Sequence, residues 1–116
     1  MLIDYESLSL SDRRSLAGLH DSKQMTPEQR EDLYPCVLRA ASRVSVVARC
    51  VRGIDARGLH LTNLEALATA LDRLQAAGAV CLVDGFRLGA RVPAHRAVVD
   101  GDCTSAAIAA ASVVAK

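Results

Sequence analysis

Two aspartates that follow short apolar segments are the residues best suited to chemistry. Asp84 comes directly after the apolar segment 80–83, and Asp102 lies 18 residues further on, just beyond the segment 96–99. Both segments are typical of short strands, and functional groups of α/β proteins gather at the carboxyl ends of strands. A carboxylate at the end of a buried strand needs a hydrogen-bond donor or a cation. The same spacing also fits aspartates of ordinary turns or helix N-caps, because Asp-Gly is a common turn dipeptide.

A second candidate is the polar run Asp21-Ser22-Lys23, which precedes a clear helix start. Thr26 is suited to be the N-cap of that helix, and Pro27 fits its first position. Basic and hydroxyl groups near a helix N-terminus suit the binding of phosphate. An ordinary polar loop is the alternative interpretation of this run.

The other residue types with chemical potential give weaker signals. The cysteines are spaced by 14, 31 and 22 residues, so no pair has the separation of a zinc knuckle. We expect buried, inert thiols at these four positions: Cys36, Cys50, Cys81 and Cys103. The three histidines are far apart in the sequence, which favours surface or packing roles for His20, His60 and His95. The glycine-bounded segment 53–58 suits an anion or, more simply, the entry turn of a helix.

The elements that must position the two aspartates alternate between helix and strand. In the first half of the chain, the patterns predict the end of a strand at 1–5, a loop or short helix at 9–18 and a helix from Pro27 that Pro35 bends or breaks. A strand at 43–52 and a turn at 53–58 are predicted next. The rest of the chain is predicted to form a helix from Thr62 or Asn63 to Gly78, strands at 80–83 and 96–99, and a last helix from about Thr104. This alternation indicates an α/β fold.

Composition bounds the class of protein. The chain has 116 residues, which predicts one domain, and its 51% apolar and 23% charged residues exclude a disordered or fibrous chain. The net charge of +1 excludes a strongly basic tail but not a local basic patch. No apolar run reaches the roughly 18 residues of a membrane span, and the start does not resemble a signal peptide. We therefore expect a reducing, cytoplasmic setting and no membrane association.

Taken in order, these weak signals resemble the ribonuclease HII family of endonucleases. The pieces that carry the resemblance, from about Leu19 to the end, are Asp21-Ser22-Lys23, Thr26-Pro27-Glu28, Leu33-Tyr34, Ile54-Asp55, Leu82-Val83-Asp84-Gly85, Val98-Val99-Asp100-Gly101-Asp102 and the segment 108–116. No single piece is decisive, but their order and spacing together are specific.

The resemblance implies a fold, a reaction and roles for four residues. The implied fold is ribonuclease H-like, a mixed sheet flanked by helices, with four carboxylates around two divalent ions. Asp84 and Asp102 match two of those catalytic, metal-binding carboxylates, while Ser22 and Lys23 match residues near the nucleic acid. The implied cofactor is Mg²⁺ or Mn²⁺, since hard oxygen ligands select these ions. The implied partner is an RNA–DNA hybrid whose RNA strand is hydrolysed, with no protein partner and a monomeric full-length parent.

Two departures from the family pattern limit what this chain is expected to do. The family's remaining pair of metal ligands belongs to a Gly-Ile-Asp-Glu motif, which the sequence lacks; the segment 53–58 resembles it superficially but has no Glu and lies after Lys23. The family also continues beyond the position of Lys116. We therefore interpret residues 1–116 as a partial ribonuclease HII domain, truncated at both ends, inactive alone and with an exposed sheet edge. The alternatives are a catalytically dead module that binds hybrids or another partner, and an unrelated small α/β protein.

Overall fold

The computed structural model describes residues 1–19, 25–90 and 92–116 and has an α/β architecture. Its elements, in chain order, are α1 (Leu10–Ala17), α2 (Pro27–Ala40), α3 (Val51–Arg57), α4 (Leu59–Leu74), β1 (Cys81–Asp84), β2 (His95–Val98), α5 (Gly101–Thr104) and α6 (Ala106–Ala115). The predicted α/β class is therefore confirmed. None of the helices in the described part of the chain is long and apolar enough to cross a membrane.

The sheet consists, within the described residues, of two parallel strands. In its register Cys81 pairs with His95 and Asp84 pairs with Val98, so β1 and β2 end at the same edge. The backbone N–H of Gly85 donates to the carbonyl of Val98 at 2.8 Å and so extends the pairing by one bond. Gly85 then turns the chain away with a φ of 72°, a conformation that glycine adopts without strain. This edge carries Asp84, as the sequence predicts.

A helical core lies beside the sheet and is built on α6. The buried side chains that form it come from α1, α2 and α6 and the residue Leu19: Leu16, Leu19, Val37, Ala40, Ala109, Ala110 and Val113. Ala110 is completely buried, and small side chains at such positions let the helices approach closely. Side-chain caps begin the helices, with Ser9 on α1, Thr26 and Gln29 as a capping box on α2, and Ser105 on α6. The core thus fixes the position of α6 and of the short helix α5 that precedes it.

The predicted strand at 43–52 is wrong. Its alternating pattern finds no neighbouring strand among the described residues, and a strand without a partner has no ladder to stabilise it. Val44 and Val46 are exposed, and pairing is limited to one antiparallel bridge between Leu2 and Arg43. The Arg43 guanidinium instead donates to the carbonyl of Leu74 at 2.7 Å, at the C-terminal end of α4.

The predicted turn at 53–58 is also wrong, because α3 continues to Arg57. Gly58, with a φ of 83°, separates α3 from α4. Helix α4 consequently begins at Leu59, three residues before the predicted cap Thr62.

Two further helix predictions concern α2 and the last helix. Helix α2 is not broken at Pro35, because Val37 and Ala40, both buried in the core, hold its last turn in place. The last helix, predicted from about Thr104, is α6 and begins at Ala106, whereas the short helix α5 was not predicted; Ser105, with an extended backbone conformation, separates the two. This break allows Asp102 to lie on a separate helical turn beside the sheet.

Candidate metal centre

Asp84 links the end of the sheet to the start of α5. Its half-buried side chain follows three apolar strand residues, and its carboxylate Oδ1 accepts a hydrogen bond from the backbone N–H of Gly101 at 3.0 Å. An N–H at the start of a helix lacks a partner within that helix, so Asp84 satisfies it from outside. The second oxygen, Oδ2, accepts no hydrogen bond from the described part of the chain. One oxygen is therefore fixed, and the other can accept a ligand.

Asp102 is the second residue of α5 and is 4% exposed. The residue before it, Gly101, is the one that the Asp84 carboxylate contacts. The Asp84 carboxylate therefore binds the residue directly before Asp102, although the two aspartates are 18 residues apart in the sequence. Asp102 is therefore not the aspartate of an exposed turn.

A tight turn around Asp100 presents α5 to the sheet. Asp100 has φ 50° and ψ 45°, a left-handed conformation that aspartate tolerates better than most residues. Its carbonyl accepts from the N–H of Cys103 at 3.0 Å and from the hydroxyl of Thr104 at 3.2 Å. These bonds close the single turn of α5. The arrangement holds Asp102 on a rigid element rather than on a loop.

The donor set at this edge fits a hard divalent cation. Both side chains are carboxylates, and oxygen donors select Mg²⁺ or Mn²⁺ over softer metals. No group of three or more His, Cys, Asp or Glu residues that could hold a metal occurs within the described residues. Asp84 also has the cap-like bond expected of a turn aspartate, and this bond uses only Oδ1 of its carboxylate.

The remaining predicted residues do not join this site in the described structure. Ser22 and Lys23 lie outside the described residues, as does His20. The ring of His60 packs against Phe86 in a T-shaped contact with centroids 5.4 Å apart. His95 uses both ring nitrogens locally: Nε2 accepts from the N–H of Leu88 at 2.8 Å, and Nδ1 lies 2.9 Å from the carbonyl of Pro93. The structure therefore agrees with the surface or packing roles predicted for His60 and His95.

The prediction for the cysteines holds in part. Cys81 is buried on β1 and Cys36 is half-buried, but Cys50 and Cys103 are exposed, so a buried environment is wrong for these two. Cys50 precedes α3, in the region that the wrong strand prediction covered. All four thiols are free of disulfide bonds.

The sequence did not single out Gly101 and Ile108 as residues of the site. Gly101 supplies the N–H that binds Asp84, and its α-carbon lies against the side chain of Ile108. The Asp100-Gly101-Asp102 pattern signals a turn, but nothing in it reveals the close approach of a helix. That contact depends on how α6 folds back against α5.

Comparisons with known proteins point to one family. The family model described as Ribonuclease HII matches residues 9–116. A protein named Ribonuclease HII from Saccharopolyspora erythraea is 40% identical over 110 residues, which cover 95% of this chain and 48% of that protein. Proteins of the same name from Nocardia farcinica and Mycobacterium marinum are 42% and 43% identical, over 87% and 88% of this chain and 40% and 43% of their own lengths.

The matches cover most of this chain but only part of each relative. The chain spans slightly less than half the length of the curated relatives it matches. No solved structure matches it. The α/β architecture, with a parallel strand pair and six helices among the described residues, is consistent with the ribonuclease H-like fold that the resemblance implies. Because the family model covers nearly the whole chain and the relatives agree with it, this chain belongs to the ribonuclease HII family.

Proposed function

We propose that this chain is part of an endonuclease that hydrolyses the RNA strand of RNA–DNA hybrids, with Asp84 and Asp102 as two of its metal-binding carboxylates. The observation that carries the proposal is the contact between the Asp84 carboxylate and Gly101, which brings Asp84 beside Asp102 at the carboxyl edge of the sheet. Membership of the ribonuclease HII family supports the choice of substrate. The cofactor we propose is Mg²⁺ or Mn²⁺, in a two-metal mechanism.

We expect a phosphodiester to bind at the carboxyl edge of the sheet, and each residue there has a proposed role. When bound, a pair of divalent ions would activate the attacking water and stabilise the leaving oxygen. The Gly101 N–H orients Asp84 before any ion binds, and the turn of α5 fixes the backbone of Asp102. We place Ser22 and Lys23 near the nucleic-acid backbone, because a hydroxyl and an ammonium group suit phosphate. Selectivity for RNA would rest on the 2′-hydroxyl.

We further propose that the 116 residues alone do not cut hybrids. The sequence has no Gly-Ile-Asp-Glu motif, so it supplies two of the four carboxylates that the family resemblance implies. A pair of aspartates binds a divalent ion weakly compared with a full set of ligands. The proposed setting is cytoplasmic, which four cysteines free of disulfide bonds support, and the proposed full-length parent is monomeric.

A chimera tests the proposed activity without relying on the isolated chain. Residues 9–116 replace the matching segment of the Saccharopolyspora erythraea relative, and cleavage of a hybrid and of a duplex with one ribonucleotide is measured with Mn²⁺. We expect the chimera to cut. Asp84→Asn or Asp102→Asn should reduce its rate by about a hundredfold or more, since even residues that only orient metal ligands contribute 10- to 100-fold.

The matched control is Asp55→Asn, which removes an exposed carboxylate from α3 and should leave the rate within about twofold. The isolated 116-residue chain, assayed in parallel, should show no cutting. A folded chimera that binds hybrid but does not cut would favour the alternative of a dead hybrid-binding module. Robust cutting by the isolated chain would contradict its proposed inactivity.

A further inference from the structure

We propose that Gly101 and Ile108 act as a positioning pair that fixes the Asp84 carboxylate for metal binding; the metal-binding part of this inference rests on the proposed function. Gly101 supplies the N–H that holds Asp84 Oδ1, and Ile108 sets where Gly101 lies. Neither residue contacts substrate in this proposal. Both act through Asp84.

The space around Gly101 shows how closely the three residues approach. A Cβ atom added to Gly101 would lie 2.5 Å from Cδ1 of Ile108, 3.2 Å from Cγ2 of Ile108 and 3.1 Å from Oδ1 of Asp84. The first distance is well inside van der Waals contact, so any other side chain at this position forces a displacement. Gly101 is itself buried, and both the Ile108 side chain and the Asp84 carboxylate lie close to the position that a Cβ atom would take. A hydrogen atom is therefore the largest substituent that fits there without a displacement.

The position of Ile108 is set by the helix that carries it. Ile108 is 7% exposed, and its side chain lies outside the helical core, whereas the next two residues of α6, Ala109 and Ala110, belong to that core and are 1% and 0% exposed. Packed interiors deform little, so the backbone of Ile108 cannot move away from Gly101 unless α6 moves within the core. The chain of contacts from α6 through Ile108 and Gly101 thus ends at Asp84 Oδ1. It leaves Oδ2, which has no hydrogen-bond partner among the described residues, to accept a cation.

Two substitutions distinguish the effect of Gly101 and Ile108 on the orientation of Asp84 from their effect on the stability of the fold. Gly101→Ala introduces both close contacts, and Ile108→Val removes the Cδ1 atom that causes the shortest one. We expect Gly101→Ala to lower the thermal midpoint of the 116-residue chain and the double variant to regain most of that loss. The new methyl group still lies about 3.1 Å from Asp84 Oδ1 in the double variant, so the orientation of the carboxylate should not recover. Ile108→Val alone shows how far the loss of Cδ1 lowers the thermal midpoint.

The readouts report on Asp84 directly. Three-bond couplings from the Asp84 carboxyl carbon to its backbone N and C′ give the χ1 populations in the absence of metal. The wild-type chain should show one dominant χ1 rotamer, and the double variant should show averaged values. Mn²⁺ affinity, followed by paramagnetic broadening of the Gly101 to Cys103 amide signals in the wild-type chain and the variant, should be about tenfold or more weaker in the double variant.

The outcomes distinguish this inference from the proposed function. Averaged Asp84 couplings in the wild-type chain, or a double variant that recovers both its midpoint and a single rotamer, would overturn the positioning role. A single rotamer in the wild-type chain and an averaged one in the double variant would support positioning even if Mn²⁺ did not bind. Mn²⁺ binding that is absent, or unaffected by Asp84→Asn, would instead contradict the metal site of the proposed function.

Discussion

Two threonines on α4 show that the same hydroxyl group can either lower or raise stability. Thr62 is 2% exposed, and its Oγ1 has no hydrogen-bond partner within the described residues. Thr69 donates its hydroxyl to the carbonyl of Glu65 at 2.7 Å and accepts from Arg49 at 3.0 Å. A buried hydroxyl without a partner keeps its desolvation cost, whereas a bonded one recovers it. The two positions should therefore respond oppositely to loss of the hydroxyl.

Replacing each threonine with valine tests this difference on one helix. Thr62→Val should raise the free energy of unfolding by about 1 kcal/mol, and Thr69→Val should lower it by about 1 kcal/mol, as measured by urea denaturation. Each variant serves as the control for the other, because the substitution and the helix are the same. A change of the same sign in both variants would contradict this assignment.

At the residue scale, the sequence was enough to predict the position of Asp84 but not the role of Gly101. An aspartate after an apolar strand is expected at the edge of a sheet, and Asp84 lies there. The role of Gly101 depends on Ile108, which approaches it from a different helix. A contact of this kind leaves no local pattern, since glycine in Asp100-Gly101-Asp102 has a sufficient explanation as a turn residue.

At the element scale, α2 is the clearest case of a helix that forms although its local sequence disfavours it. Pro35 is exposed in the interior of α2, where its ring conflicts with the preceding turn and one N–H is missing. The helix continues to Ala40 because its buried face, including Val37, packs into the core. Tertiary packing therefore offsets a local cost of a few kcal/mol.

Pro35→Ala should remove that cost while losing little packing. We expect the free energy of unfolding to rise by about 1–3 kcal/mol, measured by urea denaturation and by the thermal midpoint. The control is Pro27→Ala at the first turn of the same helix, where proline is well tolerated; its effect should stay within about 0.5 kcal/mol. A Pro35→Ala variant no more stable than the wild-type chain would show that the backbone at this position already accommodates the ring.

The strands show why some elements were predictable and others were not. β1 and β2 were predicted to within one residue at each end, because short, mostly apolar runs bounded by turns are typical of strands. The segment 43–52 had a strand-like alternation of equal clarity, yet it pairs at Arg43 with Leu2 and nowhere else among the described residues. An alternating pattern of apolar and polar residues indicates that a segment can form a strand. Whether a neighbouring strand is present to pair with it depends on the whole fold.

At the scale of the whole molecule, the helical core and the sheet meet through α5 and α6. The radius of gyration is 14.3 Å, against about 13 Å for a compact chain of this length, so the molecule is slightly extended. Apolar side chains at the ends of the strands remain largely exposed, with Val80 at 77% and Val99 at 76%. This agrees with the exposed apolar surface expected beside the sheet.

The whole fold is also what brings the two aspartates together. Asp84 lies on β1 and Asp102 on α5, and their proximity depends on the register of the sheet and on the packing of α5 against it. An unfolded chain would have no such pair. The proposed cation site at this edge would therefore exist only in the folded molecule, and its detection tests the proposal directly.

The most direct measurement is a Mn²⁺ titration of the ¹⁵N-labelled chain followed by NMR. We predict that the amide signals of Gly85 and of Gly101 to Cys103 broaden at the lowest Mn²⁺ concentrations, and that this selectivity is lost in Asp84→Asn and in urea. Asp55→Asn should leave it intact. Broadening spread evenly over exposed carboxylates such as Asp4 and Glu6, or selective broadening that survives Asp84→Asn, would contradict a metal centre at Asp84 and Asp102.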